Sequence, residues 1–182
     1  MFVAVQIPRA AADAVQAAIE PWLTVLPRVR WVPRENWHLT MRFLGSTTPS
    51  LVPWVRERLA RVAEASAPFE TSLRGLGGFP SLHRAHVLWA GVDDDRGRLA
   101  ALAVAINESL ASELEPEGRP FTPHVTVGRS DKKPLALQGG FGRTSLESDR
   151  FGVKELVLMR SHLRRPAPVY ERIEAYSIRD PA

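Results

Sequence analysis

The sequence contains no cysteine, only three lysines and no long run of apolar residues. Without cysteine the chain can form neither a disulfide nor a thiolate metal site, and it has no cysteine nucleophile. No stretch approaches the ~20 apolar residues that a membrane helix needs, so we expect no membrane span. The first residues place no basic segment before an apolar run, so we also expect no signal peptide. These absences favour a cytoplasmic protein without a membrane partner.

The basic side chains are almost all arginine, 21 of the 24 Lys and Arg residues. Residues 1–91 and 121–182 each carry a net charge of +4, whereas residues 92–120 carry −4, which leaves +4 for the chain. The planar guanidinium group suits phosphate, so a phosphate-bearing partner is one interpretation. The other interpretation is a composition biased towards Ala and Arg. The length of 182 residues and the 45% of apolar residues favour a single globular unit spanning 1–182.

Strand and helix patterns alternate along the chain, with pairs of strands between the helices. This order favours an α+β fold with antiparallel sheets over a parallel βαβ sheet. Apolar residues at helical spacing predict helices over 9–25, 51–65 and from Asp94 or Asp95 to 114, the first of them kinked or shortened by Pro21. Gly77 to Pro80 is expected to form a loop. The predicted strands are 2–7, 29–32, 37–43, 69–75, 85–92, 121–128, 146–151, 153–160 and 169–178.

Two copies of one short motif lie in two of the predicted strands, His38-Leu39-Thr40-Met41 and His124-Val125-Thr126-Val127. Because alternate side chains of a strand share a face, each His and Thr point one way and the apolar residues point to the core. With five His and eight Thr in the chain, two such His-x-Thr pairs arise by chance about 2% of the time. A pair of structural histidines in half-buried strands is the alternative. The matched pair favours a functional site.

Two imidazoles can supply a general base and a general acid together near neutral pH. Threonine hydroxyls can donate hydrogen bonds to phosphoryl oxygens as negative charge grows there. The set therefore suits the hydrolysis of a phosphodiester by water, with neither a metal ion nor a covalent intermediate. The sequence has no zinc-helix spacing, no serine nucleophile elbow and no Gly-Lys-Ser/Thr phosphate loop. We therefore expect neither a metal ion nor a cofactor.

The paired motifs, 86 residues apart, resemble the 2H phosphoesterase superfamily. They resemble more closely its RNA 2′,3′-cyclic phosphodiesterases, also called 2′-5′ RNA ligases. The similarity runs along most of the chain, through residues 2–5, 37–45, 75–80, 87–92 and 119–129. Ser161 and Leu163, followed by Tyr170, resemble the late Ser and Tyr of that family. Pro166-Ala167-Pro168 stands where the family usually has a Gly, so the shape of the last turn departs from the family pattern.

The resemblance implies a two-lobed fold with a pseudo-twofold axis, in which antiparallel sheets line a central cleft and helices lie outside. It implies that His38 is the general acid for the leaving ribose oxygen and that His124 is the general base for water. Thr40 and Thr126 would hold the phosphate. The reaction implied opens an RNA 2′,3′-cyclic phosphate end to a 2′-phosphomonoester, with reversible 2′-5′ ligation as a further activity. A small cyclic nucleotide or ADP-ribose cyclic phosphate as substrate, and a non-catalytic RNA-binding module, are the alternatives.

Four further residues are candidates for substrate binding, Arg42, Arg129, Phe43 and Phe79. By strict alternation Arg42 lies on the face of His38, whereas Arg129 lies off the face of His124. A surface ion pair or a strand edge is the alternative for the arginines, and core packing for the aromatic rings. A cluster that can contact an RNA backbone or stay solvated comprises Arg160, Arg164 and Arg165. We expect a monomer, because the cleft is complete within one chain. Its partners would be RNA ends or small nucleotides bearing a 2′,3′-cyclic phosphate.

Overall fold

A computed structural model describes residues 1–94, 96–130, 133–137, 140–165 and 167–179. The helices are α1 (Arg9–Ile19), α2 (Trp22–Val25), α3 (Val52–Glu64) and α4 (Arg98–Ser109). The strands are β1 (Phe2–Gln6), β2 (Val29–Trp31), β3 (His38–Phe43), β4 (Phe69–Thr71), β5 (Leu73–Phe79), β6 (Val87–Val92), β7 (His124–Ser130), β8 (Phe151–Val153), β9 (Glu155–His162) and β10 (Val169–Ser177). Pro21 separates α1 from α2, because a proline has no backbone N–H for the helix ladder. In these described parts of the chain no helix is long and apolar enough to cross a membrane.

Eight of these strands form one antiparallel sheet in the order β10-β9-β1-β3-β7-β6-β5, with β2 paired to β7 outside this path. Strands β4 and β8 form a separate two-stranded sheet. One half of the large sheet comprises β10, β9, β1 and β3, and the other comprises β7, β6 and β5 with β2. The two halves meet between β3 and β7, where Leu39 lies opposite Val125. The predicted α+β class with antiparallel pairing is confirmed, and the sheets of the two halves are joined at this pair.

Helices α1, α3 and α4 share one apolar core with one face of the sheet. Their apolar residues recur at helical spacing, so each helix has one buried stripe. The stripe includes Val15 in α1, Leu59 in α3 and Ile106 in α4. Leu39 and Val125, the second residues of the two motifs, belong to this core. The other face carries a smaller apolar cluster, formed by Phe2, Ala4, Val157 and Met159 with Tyr170 and Ala175 at its edge. The motif histidines and threonines alternate with core residues and therefore face the side away from the helices.

Residues Gly77 to Phe79 belong to strand β5, so the prediction of a loop there is wrong. Gly77 lies opposite Trp89 of β6 in the antiparallel register. A Cβ atom on Gly77 would collide with the indole ring of Trp89. The glycine is needed because a large ring lies over the strand, and not because the chain turns at this point.

Helix α4 begins later than its sequence pattern predicts. It starts at Arg98, directly after Gly97, whose φ of 64° is a left-handed conformation that glycine adopts without strain. The Asp94 carboxylate accepts hydrogen bonds from the backbone N–H groups of Leu99 and Ala100, at 2.8 and 2.9 Å. Asp94, a few residues before the helix, therefore provides acceptors for N–H groups of the first turn that have no partner within the helix. Asp95, the other predicted start, lies outside the described residues.

Strand β3 contains a β-bulge directly after the threonine of its motif. Thr40 pairs with Ala4 of β1, but Arg42 pairs with the very next residue of β1, Val3. Met41 is therefore an extra residue without a partner of its own on β1. A bulge puts two successive side chains on the same side, so alternation beyond it is reversed.

Strand β7 contains the same irregularity at the equivalent position of the second motif. Thr126 pairs with Trp89 of β6, whereas Gly128 pairs with the adjacent Leu88. Val127 is the extra residue here, and both Val127 and Gly128 are buried. The two motifs thus share a local geometry as well as a sequence pattern, and each is followed by a reversal of the side-chain alternation.

Candidate functional site

The two motifs lie on neighbouring strands and face the same side of the sheet. Their apolar second residues are paired in antiparallel register, Leu39 with Val125. This register places His38 beside Thr126, and His124 beside Thr40, with opposite residues about 5 Å apart. All four side chains are half-buried. The histidines therefore occupy two diagonal corners of a small polar patch, and the threonines occupy the other two.

The backbone holds both histidines in the same way. Nδ1 of His38 lies 2.7 Å from the carbonyl oxygen of Asn36, and Nδ1 of His124 lies 2.7 Å from that of Thr122. Because a carbonyl oxygen only accepts, Nδ1 of each ring is the donor. In a neutral ring Nε2 is then unprotonated and can accept a proton, and in a charged ring Nε2 can donate one. Both residues are oriented to exchange protons through Nε2.

Aromatic side chains fix the two imidazole planes. The ring of His38 stacks on Phe2 with centroids 4.8 Å apart, and the edge of Tyr170 meets it at 5.2 Å. The ring of His124 meets Phe79 nearly edge-on at 4.9 Å. Phe79 also contacts Trp89, with ring centroids 5.3 Å apart. Among the candidate substrate-binding residues, Phe79 therefore lies in the site and contacts a motif histidine directly.

Burial lowers the pKa of both histidines below the ordinary value, because apolar surroundings disfavour the imidazolium ion. In each residue the hydrogen bond to a backbone carbonyl raises the pKa and opposes this effect in part. The positive charge of His124 lowers the pKa of His38 further, and the charge of Arg129 lowers the pKa of His124. A proton on His124 thus disfavours a proton on His38, in addition to the larger effect of burial.

Arg42 does not lie on the motif face, so its predicted position in the cleft is wrong. The side chain is only 3% exposed, because the bulge at Met41 turns it towards helix α4. Its guanidinium donates hydrogen bonds of 2.9 to 3.4 Å to four backbone carbonyl oxygens at and after the end of that helix, those of Ile106, Asn107, Leu114 and Glu115. Arg42 anchors the chain beyond α4 to the strand of the first motif.

We expect Arg42→Met to destabilise the fold by about 3 kcal/mol, because it leaves one buried and three partly buried carbonyl groups without their charged donor. For a chain of this size that corresponds to a fall in melting temperature of about 6–12 °C, measured by thermal unfolding. Arg61→Met is the matched control, since Arg61 is an exposed arginine of α3 in an i,i+4 pair with Glu57. A melting temperature of Arg42→Met within about 2 °C of that control would contradict the anchoring role.

The bulges bring Phe43 and Arg129 onto the motif face. Each lies five residues after its motif histidine, and strict alternation wrongly places Arg129 off this face. The ring of Phe43 is 56% exposed and lies 6.2 Å from the ring of Phe2, which stacks on His38. Arg129 is exposed, and its charge adds to the effect of burial in lowering the pKa of His124. Burial raises the pKa of Tyr170, and the charge of Arg129 opposes that rise in part. One end of the site therefore carries an exposed aromatic ring and the other an exposed guanidinium group.

Tyr170 and Asn36 are site residues that the motifs alone do not reveal. Tyr170 covers His38, and the Asn36 side chain donates a 2.8 Å hydrogen bond from Nδ2 to the carbonyl of Pro168. The backbone carbonyl of the same asparagine accepts the Nδ1 hydrogen bond of His38. Asn36 thus connects the first motif to the segment that leads into Tyr170. The only signal for Tyr170 in the sequence was its similarity to the late tyrosine of the family. Pro166, in the turn that departs from the family pattern, lies outside the described residues.

Arg160, a member of the basic cluster noted in the sequence, lies away from the motif face. Arg160 and His162 both pair with Glu171, at 3.6 and 2.8 Å, on the face of the β9–β10 hairpin opposite to Tyr170. Arg160 is therefore not part of the site. In the part of the chain that the structure describes, no group of three or more His, Asp or Glu side chains is placed to hold a metal ion.

The sequence matches known proteins along nearly its whole length. The model of the 2′-5′ RNA ligase superfamily matches residues 7–165. A protein of Archaeoglobus fulgidus named RNA 2′,3′-cyclic phosphodiesterase is 31% identical over 182 residues, covering 97% of this chain and 98% of that one. A protein of the same name from Thermus thermophilus is 32% identical over 191 residues, covering 98% of this chain and 90% of that one. A relative of that name from Geobacillus stearothermophilus is 30% identical over 178 residues, and the aligned part is 97% of this chain but only 56% of the relative's length.

Solved structures have the same fold. A crystal structure of a Thermus thermophilus protein has a TM-score of 0.81 at 27% identity, covering 98% of this chain and 97% of that one. The structure of Escherichia coli LigT complexed with 3′-AMP has a TM-score of 0.72 at 23% identity, covering 97% and 96%. Together with the motif geometry, the family model and the relatives of over 30% identity show that this chain belongs to the 2′-5′ RNA ligase superfamily.

Proposed function

We propose that the protein hydrolyses the 2′,3′-cyclic phosphate ends of RNA to 2′-phosphomonoesters. The observation that carries this proposal is the pair of His-x-Thr motifs on neighbouring strands, in which each Nδ1 bonds a carbonyl and each Nε2 is available for proton transfer. Pure binding of RNA needs no paired acid and base. Relatives named RNA 2′,3′-cyclic phosphodiesterase align with nearly the whole chain and support the same reaction. The protein is an enzyme of the RNA 2′,3′-cyclic phosphodiesterase class.

In the proposed reaction His124 acts as the general base and His38 as the general acid. Neutral Nε2 of His124 takes a proton from water while the water oxygen attacks phosphorus. The bond from phosphorus to the ribose 3′ oxygen breaks, and Nε2 of charged His38 gives its proton to that oxygen. The product keeps the phosphate on the 2′ oxygen. The diagonal placement of the two imidazoles suits this displacement, because the entering and leaving oxygens lie on opposite sides of phosphorus.

The two threonines complete the proposed site. Thr40 and Thr126 lie on the other diagonal, where their hydroxyls can donate to the non-bridging phosphate oxygens. We assign Phe43 to contact with a base of the substrate, because its ring is exposed at the edge of the site. Phe79 acts through His124, whose ring it packs against, and Arg129 provides positive charge beside the phosphate. Arg42 has no part in binding.

The same groups account for 2′-5′ ligation as a second activity. If the 5′ hydroxyl of another RNA replaces water, His124 takes the hydroxyl proton and the product is a 2′-5′ phosphodiester, with His38 again protonating the 3′ oxygen. Membership in the 2′-5′ RNA ligase superfamily favours this second reaction. It needs no residue beyond those already named.

Phosphorus NMR of the products tests the proposed function. The protein is incubated in EDTA with 2′,3′-cyclic mononucleotides, with oligonucleotides ending in a 2′,3′-cyclic phosphate and with ADP-ribose cyclic phosphate. We expect the cyclic phosphate signal to be replaced by a 2′-phosphomonoester signal on the RNA substrates. Turnover of ADP-ribose cyclic phosphate alone would instead establish the small-nucleotide alternative. RNA binding without turnover of any cyclic phosphate would establish a binding module.

The pH profile of kcat/KM is expected to be bell-shaped with its maximum below 6.5. The base His124 must be neutral, and burial lowers its pKa, so the acid limb moves to lower pH. The acid His38 must be protonated, and burial lowers its pKa too, so the alkaline limb also moves down. Hydrolysis of a cyclic mononucleotide between about pH 4 and pH 9 measures both limbs. A maximum above pH 7 would contradict these two assignments of charge state.

A further inference from the structure

The two motif histidines have equivalent backbone bonds but different surroundings. The ring of His38 stacks on Phe2, and the edge of Tyr170 meets the same ring at 5.2 Å. Among the described residues, the ring of His124 contacts one aromatic ring, that of Phe79. The additional contact on His38 comes from β10, at the other end of the chain. It therefore depends on what holds the start of β10 against the first motif.

The side chain of Asn36 holds this start of β10. The side chain is buried, and its Nδ2 donates a 2.8 Å hydrogen bond to the carbonyl oxygen of Pro168, two residues before Tyr170. The ring of Tyr170 also packs edge-on against Phe2, with centroids 5.1 Å apart. Without the amide of Asn36 this partly buried carbonyl would lose its donor, which favours movement of the segment towards water.

The main chain of the same asparagine holds the imidazole itself. Its carbonyl oxygen accepts the Nδ1 hydrogen bond of His38, and its backbone N–H donates to the carbonyl oxygen of Pro33 at 2.8 Å. Asn36 thus joins the ring of His38 to the strand that covers this ring. The equivalent residue before the second motif, Thr122, is exposed. The two histidines are therefore supported differently, although their motifs match.

We propose that Asn36 is a positioning residue, whose side chain keeps Tyr170 against His38 and so excludes water from one side of the ring. The inference rests on the proposed function, in which His38 is the general acid. Asn36 transfers no proton and acts through His38. A ring that is held on two sides presents Nε2 to the leaving oxygen in one orientation, and such ordering contributes to the rate.

Loss of the Tyr170 contact has a defined effect on the titration of His38. Burial is the main cause that lowers the pKa of His38, so water admitted beside the ring raises this pKa towards its ordinary value. The titratable groups that face the ring are His124 of β7 and Tyr170 of β10, and the charge of Arg129 acts on both of them. A substitution of Asn36 removes none of these groups. The change in pKa therefore reports how well the ring is covered.

NMR titration of the histidine rings in Asn36→Leu tests this role without any turnover. Leucine is close to asparagine in size and shape but lacks the amide donor. We expect the titration midpoint of His38 to move up towards its ordinary value while that of His124 moves less, with His38→Gln used to assign the signal. With adenosine 2′,3′-cyclic phosphate we expect kcat to fall by about tenfold. The alkaline limb of the kcat/KM profile should move to higher pH.

Asn107→Leu is the matched control on the helix side of the sheet. The side chain of Asn107, in α4, accepts a 3.1 Å hydrogen bond from the backbone N–H of Glu117, so the same substitution again removes one bond to the main chain. It should change neither the His38 midpoint nor kcat. Asn36→Ser, whose hydroxyl is too short to reach Pro168, serves in place of Asn36→Leu if leucine prevents folding.

Tyr170→Ala removes the contact directly and should raise the His38 midpoint as Asn36→Leu does. The double variant should move it no farther than the larger single change, because both substitutions remove the same contact. An unmoved midpoint in either single variant, or equal movement of the two motif histidines, would overturn the positioning role. A natural protein that hydrolyses no cyclic phosphate would refute the proposed function instead, and the midpoints would still decide whether Asn36 holds Tyr170 in place.

Discussion

Alanine in place of His38 or His124 is expected to lower kcat/KM on a 2′,3′-cyclic nucleotide by a factor of about 10² to 10⁴, which is the range for general acid or base catalysis. Each variant lacks the imidazole that accepts or donates the transferred proton. The double variant should be about as slow as the slower single variant, because the acid and the base act in one step and their effects are not additive. Initial rates with a purified cyclic mononucleotide measure all three variants.

The histidine rings also pack against aromatic side chains, so the test needs variants that preserve the fold. His38→Gln and His124→Gln keep much of the volume against Phe2 and Phe79 but cannot transfer a proton at neutral pH. They should be as inactive as the alanine variants while melting close to the natural protein. His162→Ala controls for general effects, since His162 pairs with Glu171 away from the motif face. Activity above about a tenth of the natural level in either glutamine variant would refute the acid–base pair.

The core of the site was predictable because it depends on neighbours in the chain. Alternation along one strand decides that His38 and Thr40 share a face while Leu39 points to the core, and a short motif contains that information. The repetition of the motif in a second strand then predicts a second, equivalent pair. The same alternation correctly places Leu39 and Val125 in the core. The helices of the core were predictable for a similar reason, since their buried residues recur at 3.6-residue spacing.

Alternation placed Met41 and Val127 correctly in the core but failed at the residues that follow them. A bulge arises where two strands pair out of step, so it depends on β1 and β6 as much as on the motif strands themselves. No local pattern distinguishes the bulged residue from its neighbours. Consequently strict alternation placed Arg42 on the motif face and Arg129 off it, and the structure has the reverse. Arg42 instead anchors the end of helix α4 and the chain beyond it.

Long-range contacts explain the other residues that the sequence left unassigned. Asn36 and Pro168 are 132 residues apart, yet their hydrogen bond brings the last strand of the sheet over the first motif. Arg30 and Arg129 are likewise distant along the chain, and only the pairing of β2 with β7 makes them neighbours. Nothing in the composition of either segment specifies such a partner. The charge pattern favoured an anionic ligand, but only the sheet register shows which of the basic residues lie side by side.

Valine in place of Thr40 or Thr126 is expected to lower kcat by a factor of about 10² to 10³, as the loss of one donor to a developing oxyanion does. Valine keeps the branched shape that suits a strand and removes only the hydroxyl. Thr40→Ser and Thr126→Ser restore the donor and should stay within about tenfold of the natural rate. Steady-state kinetics on a cyclic mononucleotide, with melting temperatures for each variant, provide the measurement.

The division of the threonine effect between kcat and KM tests how these hydroxyls act. In the cyclic phosphate one negative charge is shared by two non-bridging oxygens, and the charge on them grows as water attacks. Donors placed for that change stabilise the transition state more than the bound substrate, so their loss lowers kcat with little change in KM. A valine variant with unchanged kcat and a raised KM would mean that its threonine binds the phosphate equally at every stage. In that case rate acceleration would depend on the histidines alone, and the threonines would contribute only to affinity.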